Sequence, residues 1–250
     1  MKILFYDIET APNLAYVWGH YQQDVIAHER EWYILCFAWR WEHQKKVHAC
    51  ALPDFAEAYK KDPEDDYHVV KKLHELFDEA DVIVAHNGDK FDYKKANARF
   101  IKHGLGPASP VASVDTLKVA RKYFNFTTNH LNHLGKYLGV GVKTDTGGFK
   151  TWAGCMRGDK QAWKVMIKYN KQDINLLQQV YLKLRPWMTT HPNRNMYKEE
   201  DGCPTCGHDV LQRRGYKKTR TMTYVQLQCQ GCGAYCRQRV SEKEGKPSIV

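Results

Sequence analysis

Three strand-like runs, Lys2–Ile8, Trp32–Trp39 and Lys46–Ala51, crowd the first 51 residues before any helical periodicity begins. The chain then changes character. Val70, Leu73 and Phe77 recur at helical spacing within Val69–Ala80, and a β-branched run follows at Val82–Ala85. Next come a helix from Asp92 to about His103, a short strand at Val111–Val114, and helices near Thr116–Phe124 and His130–Leu138. The last and longest pattern runs from Asp159 to about Leu184, with Trp163, Met166, Ile174, Leu177 and Tyr181 on one stripe. Short links let the first three strands run antiparallel, whereas strands joined through helices must run parallel. The order predicts an α/β fold: a mixed sheet flanked by helices, with its site at the carboxyl ends of the strands.

At 43% hydrophobic residues, the 250-residue chain has enough apolar side chains for a core. A mean hydropathy of −0.63, with no run near the roughly 18 apolar residues a span needs, argues against a membrane protein. The opening MKILFYDIET reaches Asp7 too early for a signal peptide, so the expected location is cytoplasmic. Charge is uneven. From Cys203 onward nine Lys/Arg face three Asp/Glu, a net of +6 out of the chain's +10. A basic excess in a short tail points to a polyanionic partner, nucleic acid first, with solubility as the plain alternative. A Pro- and polar-rich passage ending at Gly202 lacks either periodicity. The expected organisation is therefore an α/β domain over residues 1–185, a linker over 186–202 and a small module over 203–250.

Asp7 and Glu9 lie two apart in FYDIET, so a strand projects both to one face. Two acids on an otherwise apolar strand are costly unless something cationic sits between them, or the strand is an edge facing water. The run Val82–Ala85 ends in HNGDKFD, where the chain turns at Asn87-Gly88 and Asp92 opens the next helix, a position that also suits an N-cap. Asp89 reads as a turn residue and Asp115, in SVDT, as a helix cap; His86 is undecided. In YNKQD, Tyr169 and Asp173 are i and i+4 on one helix face.

These three segments, in this order and in strand, strand-end and helix contexts, resemble the exonuclease motifs of the DEDD superfamily. Tyr169, rather than a histidine one place nearer the aspartate, matches the DEDDy branch of the DnaQ-like 3′–5′ exonucleases, which have a ribonuclease H-like fold. The resemblance covers residues 1 to about 185, and Asn-x-x-x-Phe-Asp is the spacing seen in polymerase proofreading domains. It implies that Asp7, Glu9, Asp92 and Asp173 hold two Mg²⁺ or Mn²⁺ ions, and that Tyr169 orients the attacking water. It also implies hydrolysis of a nucleic acid, with single-stranded DNA favoured over RNA. The alternatives are an exoribonuclease, a catalytically silent nucleic-acid-binding adaptor or an endonuclease of the broader fold. Thr10, Asn87 and Phe91 become substrate-binding candidates by the same resemblance, with core packing the plain reading of Phe91.

Cys203-Pro-Thr-Cys206-Gly and Cys229-Gln-Gly-Cys232-Gly are matching knuckles separated by 22 residues. Four thiolates so paired suit one tetrahedral structural Zn²⁺, and the pattern looks like a zinc ribbon. Cys236 and His208 lie close enough to be considered as ligands and are not chosen. Cys36, Cys50 and Cys155 read as buried thiols. Between the knuckles Arg213, Arg214, Tyr216, Lys217, Lys218 and Arg220, with Tyr224 beyond, combine cations with stacking surfaces, which suits nucleic-acid binding. A solvated hairpin loop is the plain reading.

Overall fold

The computed structural model describes residues 1–21, 24–197 and 201–239. Part of the expected linker (198–200) and the end of the expected ribbon (240–250) lie outside them. The chain divides into two compact units, Lys2–Val180 and Tyr181 onward.

The larger unit begins with β1 (Ile3–Thr10), a hairpin of β2 (Leu14–Tyr16) and β3 (Ala27–Arg30), then β4 (Ile34–Trp41) and β5 (His48–Ala51). Helices α1 (Ala56–Lys61) and α2 (Tyr67–Glu79) lead to β6 (Val82–Ala85), α3 (Asp92–Lys102), β7 (Ala112–Asp115), α4 (Thr116–Tyr123), α5 (Leu131–Tyr137), α6 (Phe149–Met156) and α7 (Lys160–Leu184). Five strands form one mixed sheet in the order β5-β4-β1-β6-β7. β1 pairs antiparallel with β4 and parallel with β6, so the strand carrying Asp7 and Glu9 is central rather than an edge. The solvent-face explanation of those two acids therefore fails.

Alternation along β1 assigns its faces. Leu4, Tyr6 and Ile8 point into a core with α2 and α3, where Tyr6 meets Phe77 edge-on at 5.0 Å and Phe77 meets Phe100 at 5.9 Å. Ile3, Phe5, Asp7 and Glu9 share the opposite face. Its first two residues are buried, and Asn170 of α7 covers Asp7. With apolar surface on both sides of β1, helices cover both faces of the sheet.

Differences from the expected elements have local causes. β1 runs to Thr10 because it stays paired with β4 through an irregularity between Glu9 and Thr10. The β2–β3 hairpin is mostly exposed and too short to show alternation, so it left no signal in the sequence. α7 starts at Lys160 because Asp159 caps it, its carboxylate accepting from the Gln161 amide at 2.8 Å. Just before that cap, Gly154 of α6 sits so close to Ala162 that a Cβ would come within 2.5 Å of it.

In the smaller unit, residues after α7 form short 3₁₀ turns at Arg185–Trp187 and Arg194–Tyr197. The second turn is tied to the first cysteine knuckle. The Arg194 amide donates to the Pro204 carbonyl at 2.8 Å, and the Asn195 amide side chain pairs with the backbone of Gly202. Strands β8 (Leu211–Lys218), β9 (Thr223–Cys229) and β10 (Tyr235–Arg239) then make an antiparallel sheet in the order β10-β9-β8.

Candidate active site and cysteine module

Each candidate carboxylate is placed by a different local device. Asp7 lies opposite Ala38 in the β1–β4 ladder, where the Asn170 amide donates to its Oδ2 at 2.6 Å and to its carbonyl at 3.3 Å. Asn170 is itself fully buried, so this contact fixes Asp7 against α7. Asp92 stands at the first position of α3 but does not cap it. Its Oδ1 accepts from the Ile8 amide at 3.0 Å, binding the helix start to β1 between the two acids of that strand. The turn that delivers it needs Asn87 at φ +68° and leaves no room at Gly88, where a Cβ would come within 2.5 Å of Ala85. Asp173 follows Tyr169 by one helical turn of α7, so the two side chains share a face.

Gathering these groups has an electrostatic signature. Burial first, then repulsion from Glu9, Asp92 and Asp173, raises Asp7 well above its ordinary value. Burial and Asp173 push Glu9 up to about 8. Burial pushes Asp92 to about 7, even though two backbone amides act to lower it. Asp173 is raised too, chiefly by burial, against the pull of a nearby ammonium. Burial and the Asp173 charge also keep the Tyr169 phenol protonated beyond its ordinary range.

That ammonium belongs to Lys143, which nothing in the sequence singled out. Its Nζ lies 2.5 Å from Asp173 Oδ2 and 3.0 Å from the Tyr169 hydroxyl. Burial alone would lower it, but Asp173 and Tyr169 hold it above its ordinary value. Two other contributors were also silent in the sequence. Asn170 carries Asp7, and the Trp152 ring stands 6.2 Å from the Tyr169 ring, edge to face.

The residues fit divalent cations. The cluster is all oxygen on its acidic side, its members repel one another, and Asp173 Oδ1 is buried without a hydrogen-bond partner. Among the described residues, the four carboxylates do not bring three oxygens within 4.8 Å of one another, so their spread is wider than a single-ion cage. Asp65, Asp66 and His103 do form such a tight group. There, however, the Asp66 carboxylate is satisfied by Arg99, by His103 and by the Ile34 amide at 2.8 Å, which makes it a structural knot.

The remaining candidates separate. Asn87 gives its amide to Asp115 at 2.9 Å, and Asp115 also caps α4 through the Leu117 amide at 2.9 Å, so the capping role read for Asp115 is what it performs. Phe91 is 40% exposed with Lys95 beside it, which overturns core packing. Thr10 is half-buried where the β1–β4 register shifts. His86 bridges Thr116 and the Asn129 carbonyl at 2.9 Å each, and burial pushes it down to about 4, so it is a neutral structural residue.

In the smaller unit, Cys203, Cys206, Cys229 and Cys232 bring four sulfurs together, with Sγ–Sγ distances of 3.8 Å (Cys203–Cys232) and 3.6 Å (Cys206–Cys229). A tetrahedral ion with Zn–S bonds of about 2.3 Å requires sulfurs about 3.8 Å apart. Burial would raise the Cys229 thiol, but the Cys232 and Gly231 amides donate to its sulfur and hold it below its ordinary value. His208 packs under Gly231 and accepts from the Val210 amide, outside the sulfur cluster. Cys236 lies in β10, also outside it, and burial pushes it up to about 11.

Comparisons with known proteins bear on the larger unit. The chain resembles a family B DNA polymerase from the hyperthermophilic archaeon Pyrobaculum calidifontis, with a TM-score of 0.55 and 16% identity over 74% of this chain and 25% of the polymerase. It thus spans about a quarter of that protein's length, and the likeness concerns the fold. No match was found among curated proteins. The family description for the RNase H superfamily matches residues 26–185, which include Asn87, Asp92, Tyr169 and Asp173 and begin after Asp7 and Glu9. With well over half its length matched and the mixed five-stranded sheet in place, the chain belongs to the RNase H superfamily.

Proposed function

We propose that the chain is a metal-dependent 3′–5′ exonuclease that hydrolyses phosphodiester bonds of nucleic acid, single-stranded DNA in preference to RNA. In this reading residues 1–185 form the catalytic domain, and a zinc-bearing ribbon from residue 203 helps hold substrate. The observation that carries it is the convergence of Asp7, Glu9, Asp92 and Asp173 from one central strand and two helices, with Tyr169 and Asp173 meeting the same Lys143 ammonium. The 3′–5′ direction and the preference for DNA rest on the motif resemblance to the DEDDy exonucleases.

Two Mg²⁺ or Mn²⁺ held by these four carboxylates would supply the neutralising charge and the activated water of an in-line displacement. The chain's own residues do the positioning. Asn170 and the Ile8 amide lock the Asp7 and Asp92 carboxylates, so the oxygens need no reordering when charge develops. Tyr169 stays protonated, so its hydroxyl orients the attacking water rather than accepting a proton. Lys143 faces the same two groups and sets the charge around them. A single structural Zn²⁺ on Cys203, Cys206, Cys229 and Cys232 would pin the ribbon.

The test uses 5′-labelled single-stranded DNA and RNA of one sequence with Mg²⁺, with Mn²⁺ and with chelator. A metal-dependent ladder shortening from the 3′ end, absent in Asp7→Ala, is expected, with DNA degraded faster. Binding without cleavage would transfer the assignment to the silent adaptor, and cleavage of a circular substrate to an endonuclease.

A further inference from the structure

The basic residues of the ribbon are sorted onto two faces in a way their sequence order hides. Leu227 of β9 lies opposite Arg213 of β8, yet Val225, two residues earlier, lies opposite Tyr216, three residues later. The extra residue is a bulge at Arg214-Gly215, and Gly215 takes φ +84° to make it. Strict alternation would put Arg213 and Tyr216 on opposite faces, but the bulge brings them together. Their contact agrees: the Arg213 guanidinium lies 4.8 Å over the Tyr216 ring and hydrogen-bonds its hydroxyl. Leu227, Val225 and Cys236 share that face.

The other face collects a different set. Lys217, Tyr224 and Arg239 lie in one row across the three strands. Gln226 and Arg237 form the next row, and Gln228 and Tyr235 another. Arg237 stacks 4.6 Å over the Tyr224 ring, and Arg214 reaches Gln228 at 2.9 Å, which places both arginines on this side. Among the described residues no carboxylate pairs with Lys217, Arg237 or Arg239. Tyr235 is 57% exposed.

We infer that this second face, built on Lys217, Tyr224, Tyr235, Arg237 and Arg239, is the surface of the ribbon that binds single-stranded nucleic acid. Unpaired cations attract phosphates, and two tyrosines supply flat surfaces to bases freed from a duplex. Side-chain amides between them offer hydrogen bonds to base edges. The inference rests on the reading of the ribbon as a substrate holder.

The experiment measures anisotropy of a labelled oligothymidylate on the zinc-loaded full chain without added magnesium across a salt series, with zinc content confirming each folded variant. Lys217→Ala/Arg237→Ala/Arg239→Ala should weaken binding at least tenfold near 0.1 M salt. It should also flatten the log–log salt dependence by about 2, three contacts at about 0.7 each. Tyr224→Leu should weaken binding about tenfold with the slope unchanged. Arg213→Ala should stay within twofold of the parent. If Arg213→Ala weakens binding as much as Arg239→Ala, or if a duplex binds more tightly than the single strand, the assignment of face or ligand is overturned. If neither the triple variant nor Arg213→Ala/Tyr216→Ala changes binding, the ribbon's role in holding substrate falls with it.

Discussion

The acidic cleft and the basic sheet carry opposite charges, and they differ more deeply in how those charges are held. In the cleft, Asp92 and Asp173 are 3% and 2% exposed and repel their neighbours, so the fold alone keeps together groups that would separate in water. In the ribbon the cations are exposed on short strands and lie within reach of solvent counterions. The first arrangement stores unfavourable electrostatics that a bound cation relieves. The second stores almost none and gains by releasing counterions when a polyanion binds. The cleft should therefore answer to metal and pH, and the ribbon to salt.

The largest effect expected to separate the two comes from Asp7→Asn. Cleavage should fall by about 10²–10³-fold or more, the scale of losing one preorganised electrostatic contact. The same change removes a charge repelled by Glu9, Asp92 and Asp173, so the larger unit should melt a few degrees higher, as calorimetry of the zinc-loaded chain without added magnesium would read. A lower Tm would mean that Asp7 stabilises the fold and that the cleft is not strained as described. Zinc removal should act on the other region. A structural zinc contributes about 10–16 kcal/mol in small modules, so a strong chelator or Cys229→Ser should melt the β8–β10 sheet. Limited proteolysis should then cut after residue 200 while magnesium-dependent cleavage of a short oligonucleotide persists. Loss of both together would show that the two units do not fold independently.

Much of this contrast was legible in the sequence, for a physical reason. Backbone periodicity and the order of elements determine a sheet's topology, and a mixed sheet was readable from three early strands followed by alternation. The acids were readable because strand and helix periodicity puts Asp7 with Glu9 and Tyr169 with Asp173. What escaped depends on tertiary contact alone. Lys143 sits between α5 and α6, in a segment with no periodicity, and meets Asp173 from 30 residues away. Asn170 lies inside a motif yet acts through a buried bond to Asp7 across 163 residues. In the ribbon, charge was visible but its face was not, because a single bulge at Gly215 reverses the alternation.

A smaller effect concerns pH. Glu9 is raised to about 8 in the fold from an ordinary 4.5, so it binds more protons folded than unfolded. Its contribution is therefore present below about 4.5 and lost as pH rises through 8. His86 runs the other way. Lowered to about 4 from 6.5, it contributes above 6.5 and loses that contribution as pH falls through 4. Metal-free protein should thus lose stability on the alkaline side through the carboxylates and on the acid side through His86. Saturating Mg²⁺ should flatten only the alkaline limb, and His86→Asn only the acid one. A Tm of the metal-free chain that rises between pH 6.5 and 8, above the His86 window, would contradict the carboxylates' part of this account.

The smallest expected change sharpens the comparison most, because it places a ribbon-like group in the cleft. Lys143 is a cation against Asp173 and Tyr169, and so does in part what a divalent ion would do. Removing it with Lys143→Met keeps the aliphatic bulk and leaves Asp173 without its partner. Metal-free stability should drop by about 1–2 kcal/mol, the range for a hydrogen bond to a charged group. Divalent affinity, measured by calorimetric titration, should rise several-fold, because the ion no longer competes with an ammonium. If Lys143 instead helps assemble the site, the same variant should bind metal more weakly while losing the same stability. The sign of the affinity change thus decides whether the lysine stands in for a metal ion or works beside one.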